Sequence, residues 1–576
     1  MVLKKTFPFY GRFWNNSPRI AFAFIFIMVL SLGCHAQSEL LEVTAENFEV
    51  AEVFSDSMVF QQNEPIKVWG TSTHEGGVVG VRFDDSYGTA VVENGAWCVS
   101  LSPRVADTVP RTLEVYGVPS AERRVFEDVL VGDVYLVIGQ SNVAYRVSSL
   151  PEEQMPEEDG AWKERVRLLT NSRDDLSKSA VSTDKRNKQD TSASALSVHR
   201  ASRWQRASHG ERVNASALGY LFAKELCTLG GENIPIGIIS VGFGGMELRS
   251  FVEPSLAKKL SGYGEAGVVY ENFIRPLLPF AVRGVVWYQG EANAPYYAEY
   301  ADGLCRFIEQ LRADKAQERY TDFPFYIVEL PPCFAAPEGY TGEDWQFVDF
   351  GLVRAASGSV PSMVENTYIC ATSDLWNDRL YANNLHPNNK PAVAARLSRM
   401  VAAEAWAYTE FEGAYAPTLR TVEQVDEEGY VYDVYFDHTS GALYWQGDMA
   451  GLYGVDEEWN APELTAEFVS EDCMRVTSSR ILYRLCYASQ ADNVFGENAT
   501  LCGGSGVPAA AFLVDLRTRP VTLKMRFNIL LLNVVGWVYR NSGVLAAGAL
   551  VCVAAVVVFV RRHQKKKQHK KEEQKA

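Results

Sequence analysis

Ser141 stands where a serine could attack an ester. It follows the apolar run 134–138, with Gly139 and Gln140 directly before it, so a strand-to-helix turn should present its hydroxyl at the edge of a sheet. A serine hydroxyl in such a turn attacks a carbonyl carbon when a neighbouring base removes its proton. Serine is also a common helix cap, so Ser141 does not establish catalysis without a base.

His386 is the histidine best placed to be that base. It follows the predicted strand 368–371, whereas His199 lies in a polar stretch and His209 lies in a loop before a predicted helix. An imidazole titrates near neutral pH and can take a proton from a serine hydroxyl. A purely structural histidine is the alternative, and the sequence leaves it open.

Two further segments could bind a developing negative charge or the hydroxyls of a sugar. Gly245 lies in a glycine-rich turn after another apolar run, and such a turn lets backbone N–H groups approach a ligand closely. Gln289, Glu291 and Asn293 follow the predicted strand 284–288 and offer donors and acceptors. A turn shaped only by packing and an ordinary polar loop are the respective alternatives.

The elements that position these segments predict an α/β domain over residues 126–412. The predicted strands are 134–138, 234–239, 284–288, 325–329 and 368–371. The helix-like stretches between them are 215–229, 296–313 and 390–406. Near-continuous apolar strands with intervening helices indicate a parallel sheet covered on both faces, a three-layer α/β/α arrangement. In such sheets ligands bind at the carboxyl ends of the strands, where all four segments fall.

The regions on either side of this domain read as β-structure. Residues 40–125 and 413–520 contain short strands rich in Val, Tyr, Phe and Trp, separated by turns. This pattern predicts one β-sandwich domain on each side. Within the central domain, the polar segment 172–200 predicts an exposed insertion loop.

Both ends of the chain carry membrane signals. Residues 1–36 have the layout of a signal peptide, with lipidation at Cys34 or a retained anchor as alternatives. Residues 543–560 are uncharged, and the basic segment 561–576 follows, which predicts a transmembrane helix with a cytoplasmic tail. A buried core helix is the alternative. We therefore expect a single-pass protein of the cell surface or the secretory-pathway membrane, with its body on the non-cytoplasmic side.

Charge and cysteine content exclude some functions. The net charge is −16 although both ends are basic, so the body is strongly acidic, and it lacks the basic footprint that nucleic-acid binding requires. Ten cysteines are present without any Cys-x-x-Cys, so no zinc module is predicted. Export would permit disulfides between the body cysteines, but their pairing cannot be read from the sequence.

Taken together, the motifs resemble those of the sialate O-acetylesterase family of the Ser-Gly-Asn-His (SGNH) hydrolase superfamily. The matching stretches are 54–61, 129–135 leading into 139–142, 287–291 and 386–390. The resemblance covers about residues 50–515, including both β-rich regions. It implies an SGNH-hydrolase-like, flavodoxin-like central sheet, an acetylated glycan as substrate, and no metal or cofactor.

By this resemblance, Ser141 would be the nucleophile and His386 the base that later activates water. The backbone N–H groups of Ser141 and Gly245 would form an oxyanion hole with the side chain of Gln289 or Asn293. Gln289 is favoured because it follows its strand more closely. The implied reaction is transfer of an acetyl group to serine, followed by hydrolysis.

The sequence departs from the family at the third catalytic position. A carboxylate is usual two or three residues before the histidine, and this chain has Asn383 and Asn384 there. An asparagine orients an imidazole but does not stabilise the imidazolium by charge. Asp374 or Asp378 could replace the missing acid, the enzyme could work as a dyad, or its activity could be weakened.

The substrate and two competing functions stay open at this point. Gln140, Asn142 and Glu291 are candidates for contacting the sugar, and Arg249 is the candidate partner of a sialate carboxylate. The family favours O-acetylated sialic acid, with an acetylated polysaccharide of the xylan type as the alternative. A catalytically weak or inactive surface glycan-binding protein is the competing class of function.

Overall fold

The structure is a computed structural model, and it confirms a mixed α/β fold for this chain. The residues that it describes are 48–118, 123–155, 160–171, 203–208, 210, 214–230, 233–332, 350–375, 386–387, 389–490 and 497–517. The predicted signal peptide, polar insertion, membrane helix and basic tail all lie outside these ranges. Across these ranges, no helix combines the length and the apolar character that crossing a bilayer requires.

The amino-terminal region is β-structure in which most neighbouring strands are antiparallel. Its strands are β1 (Phe48–Val50), β2 (Val59–Gln61), β3 (Ile66–Ser72), β4 (Val78–Phe83), β5 (Ser86–Val91), β6 (Ala96–Leu101) and β7 (Asp107–Val118). Strands β1, β3 and β6 form one sheet, and β4 pairs with both β5 and β7 in a second layer. Val79, Val81 and Phe83 of β4 are fully buried, as expected where one face of a sheet packs on a core.

A seven-stranded sheet forms the centre of the molecule. Its strands are β8 (Arg123–Gly139), β9 (Val166–Asn171), β10 (Gln205–Arg206), β11 (Ile236–Gly242), β12 (Gly284–Tyr288), β13 (Phe325–Val328) and β14 (Thr367–Cys370). They lie in the order β10-β9-β11-β8-β12-β13-β14, and all neighbours are parallel except at the edge strand β10. Strands β11 to β13 are buried along their whole length, which explains their unbroken apolar sequences.

The order of the strands creates a crevice at a defined place. The five strands predicted from the sequence correspond to β8 and β11 to β14, and their spatial order is 2-1-3-4-5, as in a flavodoxin-like sheet. The topological switch point of such a sheet lies between its first and third strands, here β8 and β12, and opens a crevice at their carboxyl ends. Strand β9, a short strand that directly precedes the polar insertion, is not predicted from the sequence.

Strand β8 belongs to both the amino-terminal region and the central sheet. Its first part pairs with β7 and β2, and its second part pairs with β11 and β12. The predicted domain boundary between residues 125 and 126 therefore falls inside one continuous strand. Glu64, which is buried, also accepts hydrogen bonds from the backbone N–H groups of Glu318, Arg319 and Tyr320 at 3.0, 2.8 and 2.6 Å.

Seven α-helices accompany the sheet in the described part of the chain. They are α1 (Ser141–Ala144), α2 (Ala217–Leu229), α3 (Leu248–Phe251), α4 (Pro254–Ala257), α5 (Tyr300–Lys315), α6 (Phe350–Gly358) and α7 (Lys390–Trp406). Helix α2 begins at a serine cap, where Ser216 accepts from the N–H of Gly219 at 3.3 Å. Helix α2 packs on α7, and α5 packs on α6. The three predicted helices correspond to α2, α5 and α7.

The carboxyl-terminal region is again antiparallel. Its strands are β15 (Thr418–Gln424), β16 (Val431–Asp437), β17 (Tyr444–Trp445), β18 (Leu452–Val455), β19 (Leu464–Ser470), β20 (Cys473–Ser478), β21 (Arg484–Tyr487), β22 (Leu501–Cys502) and β23 (Phe512–Asp515). They form sheets of four, three and two strands over a separate buried core. Arg354 of α6, also buried, donates to the carbonyls of Ala488 and Gln490, which fixes this region to the central domain.

The described cysteines are unpaired thiols. They are Cys98, Cys227, Cys305, Cys370, Cys473, Cys486 and Cys502. Cys333 lies outside the described residues. Packing of the cores, rather than cross-linking, holds together the part of the chain that the structure describes.

Candidate active site

The turn after β8 presents Ser141 as the sequence predicts. Ser141 is the first residue of α1 and is partly exposed, whereas Gln140 and Asn142 on either side are buried. A Cβ at Gly139 would lie 2.0 Å from the carbonyl oxygen of Tyr288 in β12, so only glycine lets the two strands meet here. The hydroxyl therefore emerges at the switch point between β8 and β12.

The glycine-rich turn after β11 lies beside this serine. The N–H of Phe243 donates to the carbonyl of Gly139 at 3.0 Å, which joins the turn to the end of β8. A Cβ at Gly244 would lie 3.6 Å from the Cβ of Ser141. Gly245 is exposed, has a φ of 72°, and has open space where a side chain would be. The backbone of the turn is thus accessible next to the nucleophile, as an oxyanion hole requires.

Gln289 is buried, and its side chain forms hydrogen bonds within the protein instead of pointing a donor at a substrate. Its Nε2 atom donates to the side-chain oxygens of Gln140 at 3.2 Å and Asn293 at 2.7 Å, and to the carbonyl of Met246 at 3.2 Å. Its Oε1 atom accepts from the hydroxyl of Tyr300 at 3.0 Å. With both amide hydrogens engaged, Gln289 holds three loops of the site together and has no donor to spare for a substrate.

Asn293 is oriented with its amide nitrogen available. Its Oδ1 atom accepts from the N–H of Leu248 at 2.8 Å and from Gln289 at 2.7 Å, which fixes the amide plane. Its Nδ2 atom donates no hydrogen bond to another of the described residues. Gln289 is the residue that the sequence favours for the oxyanion hole, but the hydrogen bonds favour Asn293 because its donor is unused.

The side chain of Gln140, like that of Gln289, forms hydrogen bonds that hold the loops of the site in place. Its Oε1 atom accepts from Gln289 and from the backbone N–H groups of Gly290 at 3.4 Å and Ala292 at 3.3 Å. It is almost fully buried. Its side-chain oxygen therefore fixes the loop after β12, and its predicted contact with a sugar has no support from these bonds.

Asn142, Glu291 and Lys390 form a buried polar chain. Asn142 donates from Nδ2 to Oε1 of Glu291 at 2.6 Å, and Lys390 donates from Nζ to Oδ1 of Asn142 at 2.7 Å. Burial raises the pKa of Glu291 to about 7 and lowers the pKa of Lys390 to about 7. This direction of donation suits a carboxylate and an ammonium, each stabilised by the other through one amide. Asn142 and Glu291 thus lie in the scaffold of the site, away from the place predicted for them at the sugar.

His386 lies just before α7 in a loop tied to its surroundings. The carbonyl of Pro387 accepts from Lys390 Nζ at 2.6 Å, and Asn389 Nδ2 donates to the carbonyl of Leu375 at 2.7 Å. Burial lowers the pKa of His386, and the positive charge of Lys390 lowers it further. Within the described residues the Ser141 hydroxyl makes no hydrogen bond. Such catalytic contacts are often loose until substrate binds.

The residues considered for the third catalytic role are only partly described. Asp374 is bound at both oxygens by Arg396, at 2.8 and 2.7 Å. This ion pair gives Asp374 a structural partner, and its role toward His386 stays a prediction. Asp378, Asn383 and Asn384 lie outside the described residues.

Arg249 lies near the glycine-rich turn and is used by a neighbouring loop. Its guanidinium donates to the carbonyl of Gly262. Glu247, which is buried, accepts from the N–H groups of Tyr263 at 2.9 Å and Gly264 at 2.8 Å in the same loop. The two side chains therefore hold this loop against the turn that carries Gly245. No group of His, Cys, Asp and Glu suited to a metal ion occurs among the described residues.

Sequence reasoning missed the roles of two residues. Lys390 lies in the quoted stretch 386–390, but only its contacts show that it joins two loops. Glu247 follows the glycine-rich turn directly, and its burial could not be read from local sequence. A charged residue inside an apolar helix start, as at Lys390, is the one signal that could have been used.

Comparison with known proteins gives one consistent result. Residues 131–406 match the family described as carbohydrate esterase, sialic acid-specific acetylesterase. Sialate O-acetylesterases of Pongo abelii and Homo sapiens are each 27% identical to this chain, and the alignments cover 68% of this chain and 77% of each relative. The crystal structure of a carbohydrate acetylesterase from Xanthomonas citri has a TM-score of 0.62 at 23% identity, covering 82% of this chain and 100% of that chain. The last comparison concerns the fold.

Proposed function

Because the chain belongs to the sialate O-acetylesterase family and is a carboxylic ester hydrolase, we propose that it removes O-acetyl groups from sugars through an acetyl-serine intermediate on Ser141. O-acetylated sialic acid is the substrate we favour, on the strength of the family. The observation that carries the proposal is the position of Ser141 at the switch point, beside an accessible glycine turn and the unused amide donor of Asn293.

The proposed reaction has two acyl-transfer steps. His386 takes the proton of Ser141 as the hydroxyl oxygen attacks the acetyl carbon. The backbone N–H groups of Ser141 and Gly245 and the amide of Asn293 bind the oxyanion. When the ester bond breaks, His386 returns the proton to the departing sugar hydroxyl and leaves acetyl-Ser141. Water, deprotonated by His386, then releases acetate.

The lowered pKa of His386 supports this role. A base must be neutral to accept the serine proton, and burial together with Lys390 favours the neutral imidazole. Neutrality in the resting enzyme and stabilisation of the later imidazolium are separate requirements. The second would need a carboxylate near His386; Asn383 and Asn384, which precede it in the sequence, could orient the imidazole but do not supply that charge.

The experiment compares the full chain with its Ser141→Ala variant. Acetate release is followed from an activated aryl acetate, from O-acetylated sialic acid and from acetylated xylan. We expect the wild type to release acetate from the aryl ester and from sialic acid, and the variant to lose at least about 10³-fold in kcat. Release from xylan but not from sialic acid would reassign the substrate. A folded wild type that releases acetate from none of them would refute the esterase mechanism and favour a glycan-binding function, which the asparagines before His386 suggest.

We also propose the finer architecture and the location that the sequence indicates. The 2-1-3-4-5 order of the main strands and the helix pairs α2–α7 and α5–α6 support an SGNH-type three-layer domain between two β-sandwich domains. The apolar run 543–560 and the basic segment after it support a carboxyl-terminal anchor with the body outside. Carbonate extraction of membranes and protease treatment of intact cells test this location. A chain released by carbonate would contradict it.

A further inference from the structure

We propose that Lys390 is a positioning residue for the reaction: its buried ammonium ties the turn of the nucleophile to the loop of the histidine. This inference rests on the proposed function and deepens it. Lys390 is the first residue of α7, and its side chain is fully buried.

The contacts of Lys390 join two segments that are far apart in sequence. Its Nζ atom donates to Oδ1 of Asn142 at 2.7 Å and to the carbonyl of Pro387 at 2.6 Å. Asn142 directly follows Ser141, and Pro387 directly follows His386. One ammonium therefore fixes the neighbours of both reacting residues. Since a misplacement of about 1 Å between reacting groups costs about 10²-fold in rate, a tie of this kind bears on catalysis.

The groups around Lys390 offset part of the cost of burying its charge, although burial still lowers its pKa to about 7. The carboxylate of Glu291 is one amide away, through Asn142, and the rings of Tyr145 and Tyr288 lie 5.3 and 5.6 Å from Nζ. Oε2 of Glu291 and the hydroxyl of Tyr288 have no hydrogen-bond partner among the described residues. A buried ammonium without these partners would be strongly disfavoured. The side chains of Lys390, Asn142 and Glu291 therefore act as one unit.

Lys315 provides a matched control because it is a buried lysine that, unlike Lys390, does not join the segments of Ser141 and His386. Its Nζ atom donates to the carbonyls of Leu277 at 3.0 Å and Phe280 at 2.6 Å, both within one short segment. Burial lowers the pKa of Lys315 to about 7, as for Lys390. Lys315 ends α5 and contacts the segment before β12, so it lies at the opposite edge of the sheet from the site.

The charge of Lys390 should affect the pH dependence of the reaction. A loss of packing alone would not change that pH dependence. His386 must be neutral to act, and Lys390 helps to lower its pKa. Loss of the ammonium should raise the pKa of His386, so the acidic limb of the pH–rate profile should move to higher pH. The charged and titratable groups around Lys390 are Glu291, Tyr145, Tyr288 and His386.

The experiment measures how fast a fluorophosphonate labels Ser141 in the full chain, as a function of pH, together with thermal unfolding. Lys390→Met should label about 10²-fold more slowly than wild type. Its acidic limb should lie at higher pH, because the positive charge of Lys390 helps to lower the pKa of His386. Lys315→Met should keep the wild-type limb and rate even if its melting temperature falls. Equal losses in both variants, with no shift of the limb for Lys390→Met, would overturn the proposal.

A second variant decides the matter if Lys390→Met does not fold. Glu291→Gln is nearly isosteric and keeps an acceptor for Asn142, but removes the carboxylate that stabilises the ammonium. The acidic limb should again move to higher pH, and an unmoved limb in folded Glu291→Gln would overturn the inference. A wild type that is not labelled at all would instead refute the proposed serine mechanism, so the two failures are distinguishable.

Discussion

At the scale of single residues, some polar side chains of the site use their donors in hydrogen bonds within the protein, whereas others keep a donor for a substrate. Gln289 uses its amide to join three loops, whereas Asn293 uses only its oxygen and leaves its nitrogen unused within the described residues. Both are polar, both follow β12, and both are buried. The residues therefore differ in their hydrogen bonds rather than in type or location, and only those bonds decide which amide can serve an oxyanion.

Replacement of Asn293 by Asp tests this distinction. The carboxylate keeps the acceptor for Leu248 and Gln289 but removes the donor, and because the position is buried the new charge should also lower the melting temperature. We expect kcat for an aryl acetate to fall by about 10²–10³-fold. Gln289→Leu serves as the comparison, since it leaves buried partners unsatisfied and should lower the free energy of unfolding by about 1–3 kcal/mol. An Asn293→Asp variant with unchanged kcat would exclude this amide from the oxyanion hole.

At the scale of elements, turns after the strands determine how closely the loops of the site approach. Gly139 lets β8 and β12 meet, because a Cβ there would lie 2.0 Å from the carbonyl of Tyr288. Gly244 leaves room beside Ser141, and Gly245 adopts a φ of 72° that favours glycine. The three glycines thus have different roles: Gly139 allows two strands to touch, Gly244 leaves space for the reacting group, and Gly245 allows the backbone conformation of the turn.

Replacement of Gly244 by Ala should reduce activity without loss of stability. The new methyl group would make ordinary contact with Ser141, at 3.6 Å from its Cβ, in the space that an acetyl group must enter. We expect kcat/KM for an aryl acetate to fall by about 10- to 100-fold at an unchanged melting temperature. Gly245→Ala is a comparison for stability only: its Cβ meets no atom within 4 Å, and its strained backbone should cost about 1 kcal/mol of stability. Full activity of Gly244→Ala would show that the acetyl group binds elsewhere.

At the scale of the whole molecule, the amino-terminal region and the central sheet share a strand and a core. Phe280, just before β12, packs on Phe60 with ring centroids 5.9 Å apart and on Trp69 at 6.3 Å. Strand β8 runs through both regions, and Glu64 binds the backbone of residues 318–320. These connections indicate that the two regions unfold together.

Replacement of Glu64 by Ala should therefore weaken the whole unit. The N–H groups of residues 318–320 would lose a charged acceptor that is itself buried, and we expect the free energy of unfolding in urea to fall by about 1–3 kcal/mol. Glu75→Ala is the matched control, because that exposed carboxylate accepts from Asn94 and Gly95 within the amino-terminal region. A loss confined to the amino-terminal region, seen as two separate transitions, would contradict the shared unit.

The sequence by itself determined five of the seven strands of the central sheet and the turn that carries Ser141. Buried parallel strands are apolar throughout, so they can be recognised locally, and a serine between such a strand and a helix has a limited choice of positions. Tertiary structure decided which strands are neighbours. The placement of β8 next to β12 brings Gln140, Gln289 and Asn293 together. Lys390 likewise joins residues 142 and 387 through contacts that no local periodicity encodes, because they depend on how distant segments pack in space.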